Sequence, residues 1–124
     1  MMNNLKKDYI VAIGGSNIDI LGKSNSKIVL NDSNPSEIII TPGGVARNIA
    51  ENIVLLKNEC HLITVFGNDD FGNYLKKENV NKGIKIDNSI TIKNAESAIY
   101  VSVNNHHGEM LVALNNTNIL NNLT

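Results

Sequence analysis

The chain changes its hydrophobic period near its middle, and this change limits the folds that are open to it. Tyr9–Ile13 and His61–Phe66 are short, continuous apolar runs, which are typical of strands in a parallel sheet. Between them Pro42–Gly44 interrupts the chain, and apolar residues then recur at helical spacing from Ala46 to Leu56. We therefore expect a central strand over Tyr9–Ile13, buried on both faces, with a crossover helix leading to the second strand.

A second helix continues the alternation. After the strand that ends at Phe66, a short turn leads into Asp70–Asn79, which is predicted to be helical with Asp69 or Asp70 as its N-cap. Adjacent carboxylates at a helix start do not converge on one point, so capping explains both acids better than acid–base chemistry. The order strand, helix, strand, helix predicts an α/β fold.

Further strands are expected outside this alternation. Asn31–Pro35 is dense in turn-forming residues between two short apolar runs, which predicts a hairpin. Asn104–Gly108 is predicted to be the loop of a second hairpin. These additional strands could form a separate small sheet. The runs concerned are Lys27–Leu30, Glu37–Thr41, Ser89–Lys93, Ala98–Val103 and Glu109–Leu114.

Composition excludes several classes of function. The 124 residues carry 11 basic and 12 acidic side chains, scattered along the chain, so nothing forms the basic surface that a nucleic-acid polymer requires. No apolar run is long enough to cross a bilayer, and the charged N-terminal residues are not followed by an apolar stretch with a small-residue cleavage site, so no signal peptide is expected. The single cysteine, Cys60, is interpreted as a small core residue in a reducing compartment. We expect a cytoplasmic protein with no membrane or nucleic-acid partner.

The first candidate binding site directly follows the first predicted strand, in Gly14–Asp19. In open α/β sheets, small molecules bind beyond the carboxyl ends of the strands. If this segment is extended, Asn17 and Asp19 point to the same side, and a carboxylate can accept hydrogen bonds from two neighbouring sugar hydroxyls. The alternative is a turn in which both side chains bond to their own backbone.

The second candidate site is the predicted helix start. Gly43 and Gly44 allow the backbone to approach a ligand where helix N–H groups are free, and Asn48 lies about one turn into the helix. Arg47 is the only arginine of the chain, and its planar fork, which lysine cannot imitate, suggests a specific partner. The alternative is a helix-start turn followed by a surface arginine.

No metal site is predicted. His106 and His107 are adjacent in the expected hairpin loop, without a cysteine or further histidine nearby, so we interpret them as solvated loop residues. The chain also lacks a Walker-type phosphate loop and a Cys-x-x-Cys pair.

Taken in order, these segments resemble the ribokinase (PfkB) family of sugar and nucleoside kinases, over nearly the whole chain. The matching residues are Gly14-x-x-Asn17-x-Asp19, Gly43-Gly44-x-x-x-Asn48, Gly67-x-Asp69-x-x-Gly72, Ser97–Val103 and Gly108-Glu109. Within the family, the stretches that look most like pseudouridine kinases are Asp32–Pro35, Pro42–Asn52 and Gly108–Asn115.

The resemblance implies that the chain is the N-terminal part of a ribokinase-like, doubly wound (Rossmann-like) sheet with a small β lid. The lid strands would lie near residues 27–41 and 98–114, close over the substrate and form a homodimer. The implied reaction transfers the γ-phosphate of ATP to the 5′-hydroxyl of a ribosyl compound, with pseudouridine as the favoured substrate. Mg²⁺, with or without a monovalent cation, would assist.

The resemblance also implies roles for individual residues. Asn17 and Asp19 would hold sugar hydroxyls, the backbone of Gly43-Gly44 would approach the sugar, and Asn48 would complete the grip. Arg47, whose planar fork suggests a specific partner, is counted with these substrate-binding residues.

One part of the family pattern is missing from this chain. The catalytic base and anion hole of the family lie in a Gly-Ala-Gly-Asp motif far downstream, together with the nucleotide pocket, and no such motif occurs here. We therefore expect no catalytic residue in this chain and no kinase activity from it alone. Thr124, a good helix N-cap with no helix after it, favours a longer protein. The alternatives are another sugar kinase of the family, of ribokinase or fructokinase type, and a truncated chain that acts only through lid association.

Overall fold

A computed structural model describes residues 8–123, and the expected helix start at Thr124 lies outside this range. Part of the chain alternates strands with helices, and the remaining strands form a second group, as the sequence predicts. No described helix is long and apolar enough to cross a membrane. The elements are β1 (Ile10–Ile13), β2 (Asn17–Ser24), β3 (Ser36–Gly43), α1 (Val45–Leu55), β4 (Cys60–Ile63), β5 (Val65–Gly67), α2 (Asp70–Asn81), β6 (Ile90–Ile92), β7 (Ile99–Asn104), β8 (Met110–Asn116) and a 3-10 helix (Asn118–Asn122).

The α/β part of the fold contains two parallel strand pairs. β1 pairs with β4 and β5 pairs with β6, so the predicted run His61–Phe66 is divided into two strands at Thr64. α1 covers β1 and β4 through small side chains, because Ala46 and Ala50 allow the helix to approach the strands closely. Cys60 is fully buried in this cluster, as predicted.

The remaining strands form a four-stranded sheet in the order β3-β2-β7-β8. β2 runs parallel to β7, whereas β3 and β8 are antiparallel to their neighbours. The register places Thr41, Asp19 and Tyr100 side by side on one face, which we call the Asp19 face. Ile40, Ile20 and Val101 lie together on the other, which we call the Ile20 face.

The base of the Ile20 face joins the sheet to the rest of the molecule. Ile18, Ile20 and Ile99 pack there against three side chains around α2. Burying large apolar side chains stabilises such a contact by about 1.5–3 kcal/mol each, which fixes β2 relative to the α/β part. The side chains that they meet are Phe66, Phe71 and Leu75.

The prediction that the first strand is buried on both faces is wrong for the described residues. Of the residues of β1 only Ala12 is buried, while Ile10, Val11 and Ile13 are 46%, 43% and 67% exposed. The apolar run predicts the strand itself correctly. It does not show which faces are covered, and here α1 covers only the face that carries Ala12.

Lys27–Leu30 is not a strand, and the pairing partner of β3 is the earlier segment Asn17–Ser24. The physical reason is local competition for backbone hydrogen bonds. Asn34 accepts from the Val29 N–H at 2.8 Å and donates to the Val29 carbonyl at 2.9 Å. Asn31 adopts a φ of 62°, which a strand cannot continue through.

Other element predictions are confirmed. Glu37–Thr41 lies within β3, and the loop Asn104–Gly108 joins β7 to β8 as an antiparallel hairpin. Asp69 caps α2, since its side chain accepts from the Gly72 N–H at 2.7 Å. The predicted run Ser89–Lys93 contains the strand β6 (Ile90–Ile92), which pairs with β5 rather than with the four-stranded sheet.

Candidate functional site

The candidate site lies where β2 begins and β3 ends. Asn17 stands opposite Gly43 in the antiparallel register, and Asp19 stands opposite Thr41. A Cβ at Gly43 would overlap the Asp19 carboxylate. The carboxylate therefore lies directly over the Gly43 backbone, in space that only glycine leaves open.

Asn17 and Asp19 interact directly on the Asp19 face. Asn17 Nδ2 donates to Asp19 Oδ1 at 2.6 Å, which confirms that the two side chains share one side of an extended segment. Asn17 is 9% exposed, while Asp19 is half-buried. A buried amide thus orients a partly exposed carboxylate, which keeps further acceptor sites for hydroxyl donors.

Gly44 connects this pair to α1. Its φ of 101° lies in the region that favours glycine. A Cβ there would overlap the carbonyl of Gly15 and lie 2.9 Å from Asn17 Oδ1. The backbone is therefore closely packed where three segments meet. These are the turn between β1 and β2, the end of β3 and the start of α1.

Arg47 is buried rather than on the surface. It is 4% exposed, and its backbone N–H donates to the Gly15 carbonyl at 3.2 Å. Its Nε donates to Asn79 Oδ1 of α2 at 3.4 Å, and Asn79 Nδ2 donates to Ser16 Oγ at 3.3 Å. This chain of contacts holds the β1–β2 turn against both helices.

The structure brings four of the predicted site residues into direct contact and links Asn48 to them through a backbone hydrogen bond. Asn17, Asp19, Gly43 and Gly44 are in direct contact. Asn48 is exposed one turn into α1, and its N–H donates to the Gly44 carbonyl at 2.9 Å.

Two residues beside Asp19 were not predicted as site residues. Thr41 on β3 and Tyr100 on β7 flank Asp19 in the register of the Asp19 face. Tyr100 is half-buried, and its hydroxyl lies 3.6 Å from Met110 Sδ. Only the strand register places them there, and a single sequence does not contain that signal.

The segment Gly67–Gly72, which also matches the family pattern, has a structural role. Asp69 accepts from the Ser97 N–H at 2.8 Å and from Ser97 Oγ at 2.6 Å, besides capping α2. Burial alone would raise the pKa of Asp69, but the hydrogen bonds from Ser97 and Gly72 lower it below its ordinary value. A Cβ at either Gly67 or Gly72 would overlap neighbouring backbone, so this junction is closely packed.

Two cavities lie on the Ile20 face, away from Asp19. The larger, of about 430 Å³, is lined by Ile40, Asp70, Phe71 and Tyr74. The smaller, of about 230 Å³, is lined by Ile99, Val101 and Leu114 together with two asparagines. Because both contain residues of the face opposite Asp19, they are not the site described above.

Comparison with known proteins decides the family. The family described as pfkB family carbohydrate kinase matches residues 7–124. The chain belongs to this family. It is 41% identical over 119 residues to the pseudouridine kinase of Escherichia coli (strain K12), which covers 96% of this chain and 38% of that protein. It is 26% identical over 105 residues to the guanosine-inosine kinase of Exiguobacterium acetylicum, covering 85% of this chain and 35% of that protein.

Solved PfkB-like structures share the fold. A structure from Clostridium perfringens that carries a sugar-kinase name matches with a TM-score of 0.85 and 27% identity, over 96% of this chain and 38% of that one. A ribokinase from Thermotoga maritima matches with a TM-score of 0.74 and 23% identity, over 87% and 36%. The fold is ribokinase-like, and the chain spans less than two-fifths of the length of these relatives.

The family resemblance leads us to expect Mg²⁺ in the reaction. Within residues 8–123, no group of three or more His, Cys, Asp and Glu side chains is placed to hold an ion. Asp19 is paired with Asn17 instead.

Proposed function

We propose that this chain is the substrate-binding and lid portion of an ATP-dependent PfkB kinase that phosphorylates the 5′-hydroxyl of a ribosyl compound, with pseudouridine as the substrate. The observation that carries the proposal is the Asp19 carboxylate, which lies over the bare backbone of Gly43 and is oriented by Asn17. The similarity to a pseudouridine kinase over nearly the whole chain supports the choice of substrate.

The geometry suits a vicinal diol. A carboxylate can accept from two neighbouring hydroxyls at once, and such charge-assisted hydrogen bonds are stronger than neutral ones. Asn17 occupies one side of Asp19 Oδ1, so the carboxylate has a fixed orientation before the sugar arrives. Gly43 leaves room for the Asp19 carboxylate itself, and Gly44 lets the start of α1 approach the Gly15 carbonyl, so both glycines fix where the carboxylate and Asn17 stand.

The four-stranded sheet would serve as the lid. Its Asp19 face carries the binding carboxylate between Thr41 and Tyr100, so these two side chains would border the bound substrate. A lid that excludes water during phosphoryl transfer prevents idle hydrolysis of ATP.

The chemistry of transfer would depend on parts outside these residues. Mg²⁺, when bound, neutralises charge on the phosphates of ATP. We propose that the catalytic base, the anion hole and the nucleotide pocket lie in a further part of the protein, since the Gly-Ala-Gly-Asp motif is not in this sequence. The residues described here bind and orient the acceptor and exclude water.

We further propose a homodimer through the Ile20 face. Beyond the base that packs on α2, large apolar side chains remain exposed there. A sheet face of this kind is a typical interaction surface. The residues concerned are Ile38, Ile40, Val103, Val112 and Leu114.

The cytoplasmic location expected from the sequence stays a prediction.

A substrate comparison tests the proposed activity. In the protein that carries this segment, ATP consumption is measured with pseudouridine, uridine, ribose and fructose in turn. The highest kcat/KM is expected with pseudouridine. Preference for a free sugar would instead favour the ribokinase or fructokinase type, whose substrates Asp19 could hold in the same way. Absence of turnover with all four would leave lid association as the remaining function.

A further inference from the structure

The only arginine of the chain is buried at the start of α1. A buried guanidinium is stable only if its donors are paired. The partners of Arg47 therefore indicate what the residue does.

Two partners hold the guanidinium from within the molecule. Nη1 forms an ion pair with Glu51 Oε2, one turn further along α1, and Nε donates to the fully buried Asn79. Lys82 Nζ lies 3.1 Å from Glu51 Oε1 and holds that carboxylate in turn. Burial alone would raise the pKa of Glu51, but Lys82 and Arg47 lower it below its ordinary value. The guanidinium is thus held through Nε by Asn79 and through Nη1 by Glu51.

A third contact joins Arg47 to the neighbouring side chain of Asn48. Arg47 Nη1 donates to Asn48 Oδ1 at 3.1 Å. Because the carbonyl of the Asn48 amide is directed at Arg47, the opposite end of the amide, Nδ2, is the end that an exposed side chain presents outward. This orientation would leave the NH₂ group of Asn48 available as a hydrogen-bond donor.

We propose that Arg47 is a positioning residue, which orients the Asn48 amide so that its NH₂ group donates to an oxygen of the substrate. This inference rests on the proposed function, since the contact between Asn48 and the substrate belongs to it. Arg47 itself does not touch the substrate. The site then combines an acceptor, Asp19, with a donor, Asn48, and selects a ligand with a hydroxyl donor and an oxygen acceptor at two separate places.

A double-mutant cycle tests the proposal in the protein that carries this segment. The dissociation constant of pseudouridine is measured by calorimetry for Arg47→Lys, Asn48→Ala and the double variant. Each single variant should bind roughly three- to tenfold more weakly, and the double variant should bind about as weakly as Asn48→Ala. Losses that multiply in the double variant would overturn the proposal, as would unchanged affinity in either single variant.

Two further variants separate orientation from stability. Glu51→Gln removes the ion pair but leaves the donation to Asn48, so the thermal midpoint should fall while affinity is retained. Asn48→Asp keeps an acceptor for Arg47 but removes the donor, so affinity should fall without loss of thermal stability. This variant retains Arg47 and gives an answer even if Arg47→Lys does not fold. Wild-type affinity in Asn48→Asp would contradict the proposal.

The outcomes distinguish this inference from the proposed function. If the wild-type protein binds neither sugars nor nucleosides, the proposed function fails and the substrate role of Asn48 fails with it. If the wild type binds pseudouridine but the affinity losses of Arg47→Lys and Asn48→Ala multiply in the double variant, only the role of Arg47 is overturned.

Discussion

At the scale of the residue, the candidate site depends on which side chains are absent as much as on which are present. Asp19 occupies the space above Gly43, and Asn17 lies beside Gly44. Two glycines therefore determine where a carboxylate and an amide can stand. This arrangement makes the carboxylate and the glycine beneath it the two most direct positions to test.

Asp19→Ala removes a charge-assisted acceptor, so substrate affinity should fall by about 1.5–3 kcal/mol with little change in fold stability. Calorimetric titration and a thermal melt measure the two quantities separately. Unchanged binding with a lowered melting temperature would show that the role of Asp19 is structural.

Gly43→Ala should also weaken substrate binding, because the added methyl group would displace the Asp19 carboxylate. Gly22→Ala is the matched control on the same sheet. On the Ile20 face its Cβ would meet the flexible end of Ile38 at 3.3 Å and, at ordinary contact distance, the Ser102 carbonyl oxygen at 3.9 Å. Equal loss of affinity in both variants would contradict the placement of the site, and the measurement is the same titration.

The residue-scale predictions succeeded where the cause is local. Asn17 and Asp19 share a side because an extended chain alternates its side chains. The burial of Arg47 was not predictable, since Asn79 is 32 positions away along the chain. Tyr100 was missed for the same reason, because the parallel pairing of β2 and β7 crosses most of the sequence.

At the scale of the element, Asp69 connects the start of α2 to the segment before β7. The folded state holds the pKa of Asp69 below its ordinary value, so its carboxylate contributes stability that is present above the unfolded pKa and is lost as the pH falls through the folded pKa. Asp69→Ala should lower the free energy of unfolding by about 1–2 kcal/mol near neutral pH. The difference should shrink below about pH 4, as urea denaturation at several pH values would measure.

Asp70→Ala provides the control for this element. Asp70 is exposed in the first turn of α2 and acts on the helix dipole, so its loss should cost only about 0.3–1 kcal/mol. A larger effect at Asp70 than at Asp69 would contradict the assignment of the N-cap.

Element type was predictable from the sequence, whereas pairing was not. The change of hydrophobic period identified both helices and most strands, since periodicity reflects which side chains face a core. Lys27–Leu30 was misassigned because the side chain of Asn34 takes up the backbone groups of Val29. β6 was correctly predicted as a strand, but only the folded chain shows that it joins β5.

At the scale of the whole molecule, this chain should bind substrate without transferring phosphate. It spans 38% of the length of the pseudouridine kinase that it resembles, and the motif expected to carry the base and anion hole is not in its sequence. The 124-residue chain should therefore consume no ATP with pseudouridine, ribose or fructose. Substrate-dependent turnover that survives rigorous purification would contradict this prediction.

The association of two molecules can be tested with substitutions on opposite faces of one strand. Ile38 and Ile39 are neighbours on β3 and are 62% and 41% exposed, but the register places Ile38 on the Ile20 face and Ile39 on the Asp19 face. If the Ile20 face is the dimer contact, Ile38→Lys buries an unpaired charge there and should produce a monomer. Ile39→Lys adds the same charge to the same strand and should leave the dimer intact. Light scattering at tens of micromolar measures both masses. A monomeric wild type would refute the dimer, and a mass that changes only with Ile39→Lys would place the contact on the substrate side of the sheet.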